Sequence, residues 1–258
     1  MAVPTTRLAG MDFPHLDLDA AAQALLSPAG RAAALPWRLV NTFNISLIRS
    51  DADYAATLRR EGVNLPDGKP VAWALGWLGR RSGSATVPAQ VRGPALFCKV
   101  LDEGRRTDVG HFLLGGTPET LAALVEAIER RFPGARIVGT ESPPFRDLTP
   151  EELAAQDERI RASGADLVWV GLGTPRQDGE AARLARSVDR PAIGVGAAFD
   201  FVAGSRREAP IWVQRLALEW LFRFASEPRR LWRRYTIGIA RFLLTISLEL
   251  VRSPDRDA

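Results

Sequence analysis

Cysteine and histidine are nearly absent from this 258-residue chain, which has one cysteine, Cys98, and two histidines, His15 and His111. A lone cysteine closes no internal disulfide, which points to a reducing compartment. With no histidine near it in sequence, Cys98 reads as a small buried apolar residue and not as a nucleophile. So few soft ligands exclude a zinc site built from histidine and cysteine, and no metal is expected. The P-loop pattern (GxxxxGK followed by Ser or Thr) and the GxSxG elbow are also missing, while Gly171-x-Gly173 and Gly194-x-Gly196 are only fragments of a dinucleotide-binding GxGxxG. The balance of 34 basic against 30 acidic residues, a net charge of +4, is too even for a nucleic-acid binder. No uncharged apolar run reaches the length of about 18 residues that a spanning helix needs. Residues 1–30 place Pro4, Pro14 and Pro28 among several acids, so no secretory signal is expected there. The paired acids Asp17/Asp19 and Asp51/Asp53 fall at expected helix starts, where carboxylates are favourable without a metal.

Apolar residues make up 46% of the chain and charged residues 25%, the balance of a globular protein with a real core. Residues 1–35 read as a loosely structured leader with one helix around Leu18–Leu26. Trp37–Phe43 reads as a buried strand, and Ser50 as the cap of a helix from Asp51 to about Glu61. Val63–Pro66 is a short apolar run, Val71–Gly79 a helix, and Arg80–Gln90 a mobile loop. The second half alternates more clearly. His111–Leu114, Ala135–Gly139, Asp166–Leu172 and Pro191–Val195 read as strands. Between them, Thr117-Pro118 opens a helix that runs to Arg131 before Pro133-Gly134. Thr149-Pro150-Glu151-Glu152 is a capping box for a second helix that ends near Ser163. Apolar strands separated by such helices predict an α/β fold, a mostly parallel sheet covered on both faces. The expected division is a leader over 1–35, an α/β core over 36–205 and a basic helical appendage over 206–258.

Ligands of such sheets bind beyond the carboxyl ends of the strands. Thr42 and Asn44 follow the first strand and Asp67-Gly68 the second. Gly115-Gly116, Gly171 to Gln177 (GLGTPRQ) and Gly196 to Asp200 (GAAFD) follow later ones. Glycine there lets backbone N–H groups approach a phosphate, and a helix N-terminus adds favourable partial charge. Together these turns point to a nucleotide-type site. Thr42, Asn44, Gln177 and Asp200 have side chains able to hydrogen-bond a sugar or ribose; for Asn44 and Asp200 the alternative is local turn or cap stabilisation.

Several blocks carry a family resemblance over roughly residues 37–235. They are Thr42-x-Asn44, Leu65-Pro66-Asp67-Gly68, Leu113-Leu114-Gly115-Gly116-Thr117-Pro118, and Phe132-Pro133-Gly134 with Ile137-Val138-Gly139. Later come Gly171-Leu172-Gly173-Thr174-Pro175-Arg176-Gln177, Gly194 to Phe201, Ala209-Pro210-x-Trp212-Val213-Gln214 and Leu218-Glu219-Trp220-Leu221. In order and spacing the chain resembles the WecG/TagA/CpsF glycosyltransferases. The resemblance implies a Rossmann-like fold of the GT-E kind and an inverting, metal-independent transferase with no cofactor. It implies a UDP-sugar donor and an acceptor sugar on polyprenyl diphosphate. Asp67 matches the family's proposed base, while Thr42, Asn44, Gly115, Gly116, Gly173, Gln177 and Asp200 match donor or substrate positions. Two blocks depart from the pattern. Lys69-Pro70 follow Asp67-Gly68 where the family often has DGxG, and Gln90 and Ala95 replace a charged pair, with Arg92 close by.

Residues 223–241 hold Arg223, Arg229, Arg230, Arg233, Arg234 and Arg241 against one acid, Glu227. Before them, Pro210–Ala225 reads as one helix with Trp212, Leu216, Trp220 and Phe224 on one side. After them, Tyr235–Val251 is apolar apart from a stripe of Arg234, Gly238, Arg241, Thr245, Glu249 and Arg252. That pattern suits a helix lying in a membrane interface or packed on a partner, and so a peripheral protein on the inner face of the cell membrane. The resemblance adds that this appendage covers the active site and binds the acceptor diphosphate through those arginines, whose planar forks bind phosphate oxygens in pairs. The sequence is compatible with a homo-oligomer. Two other readings remain open at this point: a non-catalytic scaffold of a polysaccharide assembly complex, and a nucleotide-dependent oxidoreductase or epimerase.

Overall fold

The computed structural model describes residues 3–216, 218–226 and 228–251. The chain starts with a hairpin, β1 (Thr5–Leu8) and β2 (Met11–Pro14), paired antiparallel. Ala9 and Gly10 turn it, both at positive φ. The expected loose leader is thus folded, because Leu8, Met11 and Phe13 alternate inward and are fully buried. Next come α1 (Leu18–Leu26), capped by Asp17, and α2 (Pro28–Ala32), capped by Ser27. β3 (Pro36–Val40) leads to α3 (Thr42–Ile48) and α4 (Ala52–Arg59). β3 is shorter than expected. Asn41 leaves the strand to cap α3, its side chain accepting from the Phe43 N–H while Asn44 reciprocates on the Asn41 backbone. Asp51, not Ser50, caps α4 through the Tyr54 N–H.

β4 (Val63–Pro66) is followed by α5 (Lys69–Arg81), which runs beyond the expected Gly79. α6 (Gly93–Gly104) was not expected at all, although Pro94 in its first turn and Leu96, Phe97, Val100 and Leu101 on one face are helical signals. Then come β5 (Gly110–Gly115), α7 (Pro118–Arg131), β6 (Arg136–Glu141), α8 (Pro150–Ala162), β7 (Leu167–Gly171), α9 (Arg176–Val188), β8 (Ala192–Gly194) and α10 (Ala198–Ala203). The expected single helix over 210–225 is divided into α11 (Ile211–Arg215) and α12 (Glu219–Ser226), and α13 (Pro228–Val251) starts seven residues before Tyr235, at its proline.

Six strands form one sheet in the order β4-β3-β8-β7-β5-β6, and every neighbouring pair is parallel. Alternation along the strands divides the core between two faces. Leu39, Leu113, Trp169 and Ile193 face α1, α6, α7 and α10, packing with Ala21, Phe97, Leu124 and Phe199. Phe112, Leu114, Val168, Val170 and Ala192 point the other way, onto Ile160 of α8 and Ala181 and Leu184 of α9. On that side the end of the sheet at β3 and β4 is covered by α3, α4, α5, the hairpin and Phe242 of α13. Full burial of each large apolar side chain contributes about 1.5–3 kcal/mol.

His111 lies in this core, fully buried on β5, and accepts a hydrogen bond at Nδ1 from Trp169 Nε1 (3.1 Å). Trp169 has only a donor to offer, so the imidazole is neutral with its proton on Nε2. Burial pushes the His111 pKa down to about 4, against the ordinary 6.5. Between those values the unfolded chain binds the extra proton, so stability is full above 6.5 and is lost as pH falls toward 4. We expect wild-type unfolding free energy to drop with acid by as much as about 3 kcal/mol more than that of His111→Gln, which keeps an acceptor but does not titrate. Parallel urea titrations of the two proteins would refute this if their slopes with pH coincide.

Candidate active site

β5 passes outward to β6 while β7 passes inward to β8, so the chain diverges between neighbouring strands and leaves a crevice at their carboxyl ends. A cleft of roughly 600 Å³ occupies it. Its floor is made by Asn41 after β3, Asp67 after β4, Gly116 after β5, Gly171–Thr174 after β7 and Gly196 after β8. Arg206, Glu208, Ala209 and Glu219 close it from the appendage side.

Backbone demands explain the glycines. Gly115 has φ 121°, and a Cβ there would lie 2.7 Å from the carbonyl carbon and oxygen of Gly171, where β5 and β7 converge. No L side chain fits. Gly68 has φ 110° and turns the chain from Asp67 into α5. Asp67 is pinned on both sides: its own N–H donates to Val40 O (2.8 Å), and Pro66 O accepts from the Val91 N–H (2.9 Å). Its half-buried carboxylate therefore sits at a defined place on the cleft wall.

The N-termini of α7 and α9 open onto the same space. Gly116, Thr117 and Thr120 line it from α7, and Arg176 and Gln177 from α9. Such ends concentrate partial positive charge and unpaired N–H groups, the ordinary arrangement for binding phosphate. Gln177 is only 3% exposed, packs against Gly194 and Gly196, and its Oε1 has no hydrogen-bond partner. A buried acceptor without a donor is one that a ligand hydroxyl or N–H can satisfy. Asp200 accepts from Ser205 Oγ (3.3 Å) and lies 3.5 Å from Arg206 Nε. Arg92, at the start of α6, is held between Glu208 (2.6 Å) and Glu219 (3.0 Å), which tie the roof to the core. Despite partial burial, those carboxylates raise its pKa and keep it charged.

Of the residues expected at the site, the cleft gathers Asp67, Arg92, Gly116, Gly173, Gln177 and Asp200, with Gly115 just beneath. Thr42 is in the first turn of α3 and does not line the cleft. Asn44 is fully buried on the far side of its helix cap. Its oxygen accepts from the Asn41 N–H, and its Nδ2 donates to Tyr54 Oη (2.7 Å) and Asp178 Oδ2 (3.2 Å). The local cap reading of Asn44 is the one realised, and Asn41 takes the place at the wall. Arg176, Arg206, Glu208 and Glu219 line the cleft without having been singled out as site residues; Arg176 and Glu219 lie within blocks of the family resemblance, while Arg206 and Glu208 carried no signal but charge close to the appendage. Arg229 is exposed on α13, while the side chains of Arg223, Arg230, Arg233 and Arg234 lie outside the described residues. Among the described residues no group of three or more His, Cys, Asp or Glu could hold a metal ion, and no helix is long and apolar enough to cross a membrane.

A cleft that combines two helix N-termini and arginines with a pinned carboxylate can bind a diphosphate and take up a proton beside it. The family model described as "Glycosyl transferase WecG/TagA/CpsF family" matches residues 6–256. The chain is also similar to the N-acetylglucosaminyldiphosphoundecaprenol N-acetyl-beta-D-mannosaminyltransferase of Bacillus spizizenii, with 30% identity over 182 residues. That alignment covers 70% of this chain and 66% of the relative, slightly under two thirds of its length. With its motifs at one edge of a parallel sheet and a match over nearly its whole length, this chain belongs to the WecG/TagA/CpsF family of glycosyl transferases.

Proposed function

We propose that the protein transfers a sugar, a hexose or one of the N-acetylmannosamine type, from a UDP-sugar to a sugar carried on polyprenyl diphosphate, in exopolysaccharide, capsule or wall-polymer synthesis. The observation that carries this reading is the cleft itself, where the Asp67 carboxylate and the N-termini of α7 and α9 line one space. The acceptor hydroxyl oxygen attacks the anomeric carbon, the bond from that carbon to the diphosphate breaks, and UDP leaves with the electron pair. The hydroxyl proton passes to Asp67, and the anomeric configuration inverts. No metal takes part in this reading. The charge growing on the diphosphate is met by the two helix ends, which the fold holds in place, and by Arg176 and Arg206. Gln177 Oε1 would accept from the donor's sugar or ribose.

The relative's name describes an enzyme acting on a diphosphoundecaprenol-linked sugar, which supports a lipid-linked acceptor here. The arginines from Arg223 to Arg234 would then meet the acceptor diphosphate and the anionic inner face of the membrane, with the protein attached peripherally. Purified protein supplied with a panel of radiolabelled UDP-sugars and polyprenyl-diphosphate N-acetylglucosamine should label the lipid with at least one donor. The absence of label with every donor would overturn the reading.

A further inference from the structure

We propose that α5 is a second membrane-contact element, separate from the C-terminal arginines, and that Trp73 and Trp77 seat it in the interface of an anionic bilayer. The inner face of this helix, with Val71 and Leu75 fully buried, is committed to the core. Its outer face carries two tryptophans one turn apart, 62% and 43% exposed. Tryptophan on a protein surface costs solvation unless something covers it, and its ring with one polar N–H suits the boundary between headgroups and acyl chains.

The charges on α5 favour a lipid surface over a protein. Its sequence, KPVAWALGWLGRR, starts with Lys69, ends with Arg80 and Arg81, and has no acid. Each cation near an anionic leaflet contributes about 1 kcal/mol, whereas a second copy of this helix would bring like charges together. The Arg81 guanidinium lies over the Trp77 ring at 5.5 Å and also donates to Leu250 O of α13 (2.9 Å). The end of α5 is thereby joined to a helix whose own outer residues Leu243, Leu244 and Leu248 are exposed. At its other end α5 starts two residues after Asp67. A bilayer holding Trp73 and Trp77 would therefore hold the reacting carboxylate at the level where a lipid-linked sugar emerges. That last step rests on the proposed acceptor; the membrane contact itself does not.

The test uses the full chain with its C-terminal helix intact. Trp73→Ser/Trp77→Ser changes only exposed positions, and its melting curve should match the wild type. Sedimentation with vesicles of phosphatidylglycerol and phosphatidylcholine should show the partition coefficient of the double variant reduced roughly tenfold or more. Transfer to vesicle-embedded acceptor should fall in parallel, while transfer to a short-chain soluble acceptor should stay at the wild-type rate. An unchanged partition coefficient would overturn the inference. So would a wild-type dimer in light scattering that the double variant dissolves without loss of vesicle binding, since that assigns the face to a second copy. Loss of vesicle binding in a protein that transfers no sugar would leave the inference standing while removing the proposed function.

Discussion

Asp67→Asn should lower kcat by about 10²–10⁴-fold while changing the KM for the donor little, the loss expected when a general base is removed from a displacement by a hydroxyl. The substitution preserves shape and hydrogen-bonding reach and removes only the ability to accept a proton as a carboxylate. Because the Asp67 and Val91 backbone N–H groups hold this turn, the variant should fold and bind UDP like the wild type. Titration calorimetry with UDP checks binding, and single-turnover transfer checks the chemical step. A variant that transfers at the wild-type rate would remove Asp67 from the mechanism. A variant that loses UDP affinity in proportion to its rate would make Asp67 a donor-binding group instead.

Asp178→Ala should destabilise the fold by about 3–5 kcal/mol, the largest stability loss expected outside the apolar core. Asp178 is fully buried on α9, where its Oδ2 accepts from Tyr54 Oη (2.7 Å) and Asn44 Nδ2 (3.2 Å). Burial raises its pKa to about 6, opposed by the Tyr54 hydrogen bond and by the charge of Arg38. Arg38 is also fully buried, on β3, with its guanidinium given to Arg60 O, Glu61 O and Asn64 Oδ1. Removing the carboxylate leaves Arg38 without its counter-charge and leaves two donors without an acceptor. The double variant Arg38→Met/Asp178→Leu should recover part of the loss, because it also removes the buried Arg38 charge that Asp178 offsets through space. Urea unfolding of the two proteins decides the point; equal losses would mean that the two charges are energetically independent.

That network also shows where sequence reasoning stopped. Helices whose ends are written in local chemistry were readable to within about a residue, as with Pro118–Arg131 after Thr117 and Pro150–Ala162 after the Thr149–Glu152 box. The parallel sheet was readable because its strands are apolar on both faces. The sequence leaves Asn44 between a ligand and a cap role because a polar residue after a strand looks the same whether it turns toward the cleft or back under the sheet. Its true partners, Tyr54 and Asp178, are 10 and 134 residues away. The hairpin was missed because strands of four residues leave too short an alternation to register, although Leu8, Met11 and Phe13 keep the phase. The cleft's glycines were legible because they answer backbone constraints. Its roof was not, because Arg92 finds Glu208 and Glu219 only through the packing of three separate segments.

The clasp between Arg92 and those two glutamates also sets a timetable. The sheet has its last strand by Gly194, but the groups that close the cleft are encoded only afterwards, at Glu208 and Glu219. During synthesis the strands could therefore assemble on the ribosome before the roof has emerged, and the nascent protein would then hold an open, unlatched crevice. Competence to turn over substrate would arrive late, with the segment that carries Glu208, Glu219 and the basic helix.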